Sequence, residues 1–567
     1  MGILLQINVK NNIRIRGAST PLKAAITTAL TKDNPAYVEA IKKRRPTWGL
    51  EPKLRLYIQD MGDIVAPRGF LEDLKALLQA QGYDPGKVIA YNQVEGNPVD
   101  FGPWNLQYKI RPYQKPFIDA IVAANGVGIA PAGAGKTIMG CAAINEIGRP
   151  TLWLTHTKDL MYQTKTRAEA TLGGVGKIGL LGDGITDWGD GKLIIATVQT
   201  LQANPYLVEA LDPIIGLIII DEAHHFPAAQ FIEVAGKFSA ARILGLTATP
   251  DRKDRLEMYM YSGIGPQLYA IDRGHLYEGG SLLKPEIKFI FTKFDYEQAS
   301  LKEGTSVDAG GEDLDYVELM QHLIKDSERA DLIADTILDY IDRGTGLVLA
   351  ESVRYLFYLK EKVVARAKAR GLKYPQIAVV HGGLQRYTWR VAKSKTAAVD
   401  MLKNEEAIDY KYDGTARRWK VKVEQYTEEE FKGWQVTTKK RKEMLDDVRA
   451  KKFDLLFATQ LAREGLDIDH LTVEHMVTPK RGDDNDKDNG SAVEQELGRI
   501  QRPDPNNPNK APILIDYVDY NVGIFQGQYY SRRKVYKRLG LTVPGKEKRP
   551  KDVERDIIDD FLSSMPF

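Results

Sequence analysis

Residues Ala130–Thr137 (APAGAGKT) are of the types that hold a phosphate group. Gly133 and Gly135, with Ala134 between them, let the backbone curl so that successive N–H groups face one anion, and a helix start adds further N–H groups. Lys136 has the reach for β- and γ-phosphates, and the Thr137 hydroxyl suits Mg2+. Ala130 stands where the usual pattern has glycine and is small enough to keep the turn tight. A second stretch, Ile218–His225 (IIIDEAHH), places Asp221 and Glu222 at the end of an apolar run. Asp221 is suited to hold Mg2+ through water, and Glu222 to orient and deprotonate an attacking water. Adjacent carboxylates are often only surface residues, but here an apolar strand delivers them downstream of a phosphate loop. Together the two stretches imply triphosphate hydrolysis by positioning and charge stabilisation.

Kinases, transporters and GTPases share such a loop, so the task must be read elsewhere. Gln495–Arg502 (QELGRIQR) puts Arg499 and Arg502 three residues apart, on one helix face. An isolated pair of this kind is more often a surface salt-bridge feature. In a region with no phosphate loop of its own, two arginines could stabilise γ-phosphate transition-state charge and report the nucleotide state.

The elements that must carry these groups are short apolar runs ending in polar or glycine-rich loops. Val127–Ala130, Leu152–Thr155, Leu193–Thr197, Ile214–Ile220 and Ile243–Leu246 predict a parallel sheet covered by helices. A second series, Leu347–Ala350, Ile377–Val380, Leu455–Ala458, Val473–Val477 and Ile513–Ile515, predicts another. The chain has 567 residues, too many for one core, and 43% apolar composition, enough to fill several. The expected organisation is a small α+β domain (1–103), a first α/β lobe (104–275), a connector (276–325), a second lobe (326–540) and a charged tail (541–567). In the small domain, Leu4–Arg16 reads as a hairpin, Pro21–Ile41 as helical, Leu54–Ile58 as a strand and Gly69–Ala80 as a helix. The connector contains an acidic stretch, Ser300–Asp315. A charged insertion, 384–450, interrupts the second lobe as a hairpin or helical extension. There Trp419 and Trp434 stand near Arg417, Arg418, Lys420 and Lys439–Lys442, a mixture that suits nucleic acid but equally a solvated surface. A net charge of +3 says little about partners, since a basic track along one groove is enough. A single cysteine, Cys141, excludes an internal disulfide and a cysteine-rich zinc site. No apolar run reaches membrane-spanning length, and no secretory leader is evident.

Over roughly residues 104–530 the motif order resembles superfamily 2 DEAH-box helicases. The extended Gly245–Asp254 (GLTATPDRKD) resembles the branch holding XPB-type, RadD-like and phage branch-migration helicases. The resemblance implies two tandem RecA-like lobes and ATP, with Arg111 and Gln114 of IRPYQ reading adenine. It implies coupling through His224, Thr247 and Thr249, and ATP-facing Gly465 and Asp467. It implies nucleic-acid contacts from Thr155, His156, Thr197, Gln199, Thr200, His381, Gly382 and Thr459, and finger roles for Arg499 and Arg502. Three departures stand out: the absence of a zinc-binding cysteine cluster, the absence of an evident nuclease motif and the insertion at 384–450.

The resulting expectation is an ATP- and Mg2+-dependent helicase or translocase acting on single-stranded, duplex or branched DNA, in repair, recombination or a phage setting. It would sit in the cytoplasm or on the nucleoid of a prokaryotic or phage-infected cell. The rivals are an RNA-dependent ATPase and an ATP-gated DNA clamp that does not unwind.

Overall fold

The computed structural model describes residues 5–42, 44, 46–225, 234–248, 256–296, 316–382, 384–392, 394–404, 407–413, 418–459, 468–482 and 491–545. The chain packs as two compact units. One comprises Met1–Ile287, Lys480–Pro512 and Ile524–Glu547, and the other contains Lys288–Pro479 and Ile513–Gly523.

The first unit begins with a five-stranded sheet in the order Ile58–Asp60, Asp63–Pro67, Asn12–Arg16, Gln6–Val9, Ile89–Tyr91. The expected hairpin is present, with Gln6–Val9 antiparallel to Asn12–Arg16. Alternation buries Ile7, Val9, Ile13 and Ile15 against Leu22 and Ile26 of the helix Thr20–Ala29 and against Leu74 and Leu78 of Leu71–Ala80. The helical reading of Pro21–Ile41 needs correction. Two helices, Thr20–Ala29 and Pro35–Lys42, flank a strand, Thr31–Asp33, that pairs with Lys53–Arg55. Ile58–Asp60 is a separate strand, so Leu54–Ile58 does not form one element.

The same unit holds an eight-stranded mixed sheet in the order Ile185–Gly189, Ile178–Gly182, Leu193–Thr197, Thr151–Thr155, Leu217–Asp221, Arg242–Thr247, Gly126–Ile129, Gln267–Ala270. Every pairing is parallel except the edge pair Ile178–Gly182 with Ile185–Gly189. Thr151–Thr155, Leu193–Thr197 and Leu217–Asp221 are buried along their whole length, as strands covered on both faces must be. The small domain is tied to this sheet by Arg68, which donates to Asn11 Oδ1 at 2.6 Å, to the Ala240 carbonyl at 2.7 Å and to that of Ala241. Burial, and then Arg242 nearby, push the Arg68 guanidinium down to about 10.

The second unit is built on a six-stranded sheet, Glu286–Phe291, Ile513–Val518, Leu471–Met476, Thr345–Ala350, Leu455–Thr459, Ile377–Val380. Helices Ser327–Asp339 and Val353–Ala369 bury Ile333, Ile337, Leu359 and Val363 on it. The fold is therefore α/β, two RecA-like sheets with an additional small domain and an insertion. The insertion is a three-stranded antiparallel sheet with helices Lys395–Lys403, Glu428–Trp434 and Thr438–Arg449. The acidic stretch Ser300–Asp315 and the tail beyond Gly545 lie outside the described residues.

A buried ion pair and a buried histidine lie in the core of the second unit. Arg329 and Asp519 are both fully buried and meet at 2.7 Å, and Arg329 also donates to Tyr355 Oη and the Val477 carbonyl. Burial disfavours the guanidinium charge, but Asp519 more than offsets it, so its affinity for the proton is raised. His475 is also buried, beside Tyr517 at 3.0 Å, and burial pushes its imidazole down from 6.5 to about 3.

Replacing Asp519 by Ala leaves the buried guanidinium uncompensated, with an expected loss of about 3–5 kcal/mol in urea unfolding followed through this unit. An effect under about 1 kcal/mol would contradict this role for the pair. His475 is neutral in the folded state and takes a proton more readily when unfolded. Its contribution is complete above its unfolded value of 6.5 and is lost as pH falls toward about 3. His475→Phe should flatten the acid limb of the stability–pH curve over that window, and an unchanged limb would exclude this histidine as a source.

Candidate active site

The strand Gly126–Ile129 runs into Ala130, and the helix Lys136–Ile147 starts six residues after Ala130, with the phosphate loop between. Gly133 and Gly135 have φ of +85° and +88°, a region costly for residues with a Cβ. A methyl on Gly133 would lie 2.8 Å from Leu282 Cδ2, and one on Gly135 would lie 2.7 Å from Gln114 Nε2. Both glycines are therefore required by conformation and by space. Gln114 is 3% exposed and braces the loop from behind. Its Nε2 donates to the Ala134 carbonyl at 2.9 Å, joined there by Tyr113 Oη at 3.1 Å, and its Oε1 accepts from the Arg111 N–H at 2.9 Å.

Leu217–Asp221 delivers its carboxylates to the edge of the sheet where this loop emerges, the expected place for a ligand in a parallel fold. Glu222 takes φ of +48°, unusual for a residue with a side chain. Its Oε1 stands 3.0 Å from Lys136 Nζ. The Glu222 N–H donates to Asp221 Oδ1 at 3.0 Å, and the Ala248 N–H donates to Glu222 Oε2 at 3.4 Å. Burial, and then the neighbouring Glu222, push Asp221 up to about 6, opposed by Lys136. Such a carboxylate gains from a cation at its side, and Mg2+ fits the donor set of Asp221 and Thr137. His224 Nδ1 lies 2.7 Å from Thr247 Oγ1 and 3.5 Å from Glu222 Oε2. It thereby links the strand ends Asp221 and Thr247.

The helix Ser491–Ile500 belongs to this same unit and is seated on the phosphate loop. A methyl on Gly498 would lie 2.8 Å from Ala132 Cβ, and Arg502 Cγ and the Gly498 carbonyl both lie 3.9 Å from a methyl on Gly133. Arg499 is 8% exposed. Burial, and then Arg167, push Arg502 down to about 10. Arg502 lies beyond the end of this helix, so the expected shared helix face for Arg499 and Arg502 does not form; its buried guanidinium, beside Arg167, favours an incoming anion. What holds the helix there escapes the sequence reading. Arg273 donates to Gln501 Oε1 at 2.8 Å and pairs with Glu494, and Gln501 Nε2 donates to Tyr277 Oη at 2.9 Å. The Gln501 carbonyl accepts from the Leu283 N–H at 2.7 Å, and Lys480 pairs with Glu496 at 2.6 Å. Gln501 lay inside a recognised motif; nothing in the sequence marks Arg273.

The other expected residues lie at sheet edges. Thr155 and Thr197 end neighbouring parallel strands and are buried. Gln199 is exposed and donates to the His156 carbonyl at 3.1 Å, and Thr200 Oγ1 is 2.8 Å from Thr197 Oγ1. In the second unit Thr459 ends a strand and is 4% exposed. His381 is 1% exposed, with Nδ1 2.6 Å from the Gly382 carbonyl and Nε2 2.9 Å from that of Trp434. Its ring is thus turned inward and spent on backbone, not presented to a ligand. Trp434 likewise stacks on Phe357 at 4.6 Å, an anchor of the insertion and not a surface for stacking. Thr249, Gly465 and Asp467 lie outside the described residues.

Residues 107–252 match the family described as "Type III restriction enzyme, res subunit", and residues 398–504 match "Helicase conserved C-terminal domain". The chain is 27% identical over 364 residues to the "Putative DNA 3'-5' helicase Rad25" of Halobacterium salinarum, covering 57% of this chain and 58% of that one. It is 25% identical over 440 residues to the "Putative ATP-dependent RNA helicase L396" of Acanthamoeba polyphaga mimivirus, covering 76% and 68%. Among solved structures, "ATP-dependent Type ISP restriction-modification enzyme LlaBIII bound to DNA" is similar at 13% identity and a TM-score of 0.48, over 76% of this chain and 30% of that one. The chain spans about half the length of the Rad25 and XPB2 relatives it matches. Among the described residues no helix is long and apolar enough to cross a membrane. With a restriction-type ATPase segment followed by a helicase C-terminal segment, the chain has the domain architecture of a superfamily 2 helicase related to XPB-type proteins.

Proposed function

We propose that the protein is an ATP-driven motor on nucleic acid, with DNA as its substrate. The observation that carries this reading is the seating of the helix Ser491–Ile500, with Arg499 in its last turn and Arg502 just beyond its end, on the phosphate loop that holds Lys136 beside Glu222. The loop N–H groups and Lys136 would hold the phosphates of ATP, and Thr137 and Asp221 would hold Mg2+, which supplies charge neutralisation there. Gln114 and Arg111 keep the loop and the adenine side in register. Glu222 is placed to orient and deprotonate water. Arg499 and Arg502 stabilise charge that develops on the γ-phosphate.

Coupling follows from connectivity. The helix Ser491–Ile500 packs with the phosphate loop, yet the chain on either side of it runs into Leu471–Met476 and Ile513–Val518 of the second sheet. A change in the grip of the arginines on phosphate would pull on those strands directly. His224 and Thr247 join the carboxylate strand to its neighbour and would carry the same signal across the first sheet. Thr155, His156, Thr197, Gln199, Thr200, Gly382 and Thr459 mark the loops proposed to meet the sugar-phosphate backbone, with His381 acting through packing. Gly465, Asp467 and Thr249 keep the ATP-facing and coupling roles that the family resemblance gives them. Backbone contact carries little sequence information, so recognition rests on charge and shape. RNA in place of DNA is the second reading, favoured by the similarity to a relative described as an RNA helicase.

ATP hydrolysis measured with single-stranded, duplex and forked DNA and with RNA should rise most with a DNA form. No stimulation by any of them would sink the motor reading, and stimulation by RNA alone would establish the second. Glu222→Gln should lower hydrolysis at least about 100-fold while nucleotide binding persists. Arg502→Ala should lower kcat about 10- to 1000-fold with a much smaller change in KM. An Arg502→Ala enzyme altered only in KM would remove this arginine from the transition state.

A further inference from the structure

The inserted sheet carries side chains that the ATP chemistry does not use. Arg418–Glu424 is its central strand, with Tyr387–Ala392 and Asp409–Asp413 antiparallel on either side. Strand alternation sorts its side chains onto two faces. On one, Val421, Val423, Ala392 and Tyr410 close against Ala398 and Met401 of the helix Lys395–Lys403. Trp419, which the sequence brings forward, belongs to this inner face.

The register puts Tyr387, Trp389, Lys411, Lys420 and Lys422 on the other face, with Asp409, Asp413 and Glu424. Trp389 is 36% exposed there. Lys411 Nζ lies 4.2 Å from the Trp389 ring centroid, and Lys422 Nζ and Arg386 Cζ each lie 5.2 Å from that of Tyr387. Asp413 is paired with Lys420 at 2.6 Å and Glu424 with Arg386 at 2.9 Å. Lys411 and Lys422 have no ion-pair partner among the described residues, so their charge is available to an anion. Rings and ammonium groups therefore alternate across one open face.

We propose that this face binds a single strand of nucleic acid, with bases stacked on Trp389 and Tyr387 and phosphates held by Lys411 and Lys422. Each exposed cation–π contact is weak and exchangeable. A phosphate that draws Lys411 outward uncovers the Trp389 ring for the adjoining base. A duplex keeps its base faces stacked and gains only the charge, so the aromatic part of the surface selects unpaired strands. The inference rests on the motor reading, to which it adds a second, ATP-independent grip on the displaced or tracked strand.

The test is fluorescence anisotropy without ATP, using full-length protein, labelled oligo-dT, the matching oligo-U, a duplex and an oligoglutamate peptide. Trp389→Ala should weaken single-strand binding about tenfold, and Trp389→Phe should restore most of it. Lys411→Ala with Lys422→Ala should reduce the slope of log affinity against log salt by about one to two. In the Trp389 variants, duplex binding and ATP hydrolysis without nucleic acid should stay unchanged. A preference between oligo-dT and oligo-U identifies the kind of strand, and either supports the site. Equal single-strand affinity of wild type and Trp389→Ala would overturn it, as would failure of Trp389→Phe to recover. Trp389-dependent binding of oligoglutamate without oligonucleotide binding would overturn it in favour of a protein partner. If only the motor reading failed, Trp389-dependent strand binding would persist with no stimulation of hydrolysis. If only this site failed, stimulation would persist with strand affinity indifferent to Trp389.

Discussion

A lysine and a glutamate facing each other at 3.0 Å, beside an aspartate that burial disfavours as a charge, require an unusually rigid support. The parallel sheet provides it. Neighbouring strands end at the same edge, so the loop after Ile129, the carboxylates at Asp221 and Glu222 and the Thr247 hydroxyl converge without long connections. The cost of bringing charge to this edge is met by mutual compensation. Lys136 offsets the two carboxylates, and Arg502, just past the helix Ser491–Ile500, brings positive charge close to Gly133 of the loop. The result is a cluster of compensated charges at one sheet edge, where electrostatic interactions act in partial exclusion of water.

The same logic of buried, compensated charge recurs away from the site. Arg329 with Asp519 fixes the second unit, Lys480 with Glu496 and Arg273 with Glu494 fix the arginine helix, and each pair has few ways to relax. Ionic contacts of this sort specify one packing arrangement more than they add stability. That suits a helix whose register against the phosphate loop decides where two guanidinium groups stand.

Local signals were legible in the sequence and distant ones were not. The two phosphate stretches announce themselves because a buried parallel strand is a continuous apolar run, followed at once by its functional residues. Strand limits shift where a polar residue ends the run, as at Asp221, which belongs to Leu217–Asp221. The reading of Pro21–Ile41 as helical fails because Thr31–Asp33 is decided by pairing with Lys53–Arg55, a contact no local pattern records. Arg273 was invisible for the same reason, since its partners Glu494 and Gln501 lie far along the chain. The insertion shows how composition can mislead by position. Trp419 and Trp434 stand out beside basic residues, but register turns the first inward and Phe357 covers the second. Trp389, with no basic run to draw attention to it, is an exposed indole of the insertion.

Among the described residues Arg68 binds only backbone and an asparagine, reaching Asn11 on one side and the Ala240 and Ala241 carbonyls on the other. Asn11 in turn donates to the Ala235 carbonyl at 3.0 Å, so the joint is stitched twice. None of these acceptors titrates, and the guanidinium holds its proton far above physiological pH. The seam between the small domain and the eight-stranded sheet is consequently indifferent to acidity, and its burial shields it from ionic strength. Changes of pH or salt should leave this seam closed, so the small domain moves with the eight-stranded sheet.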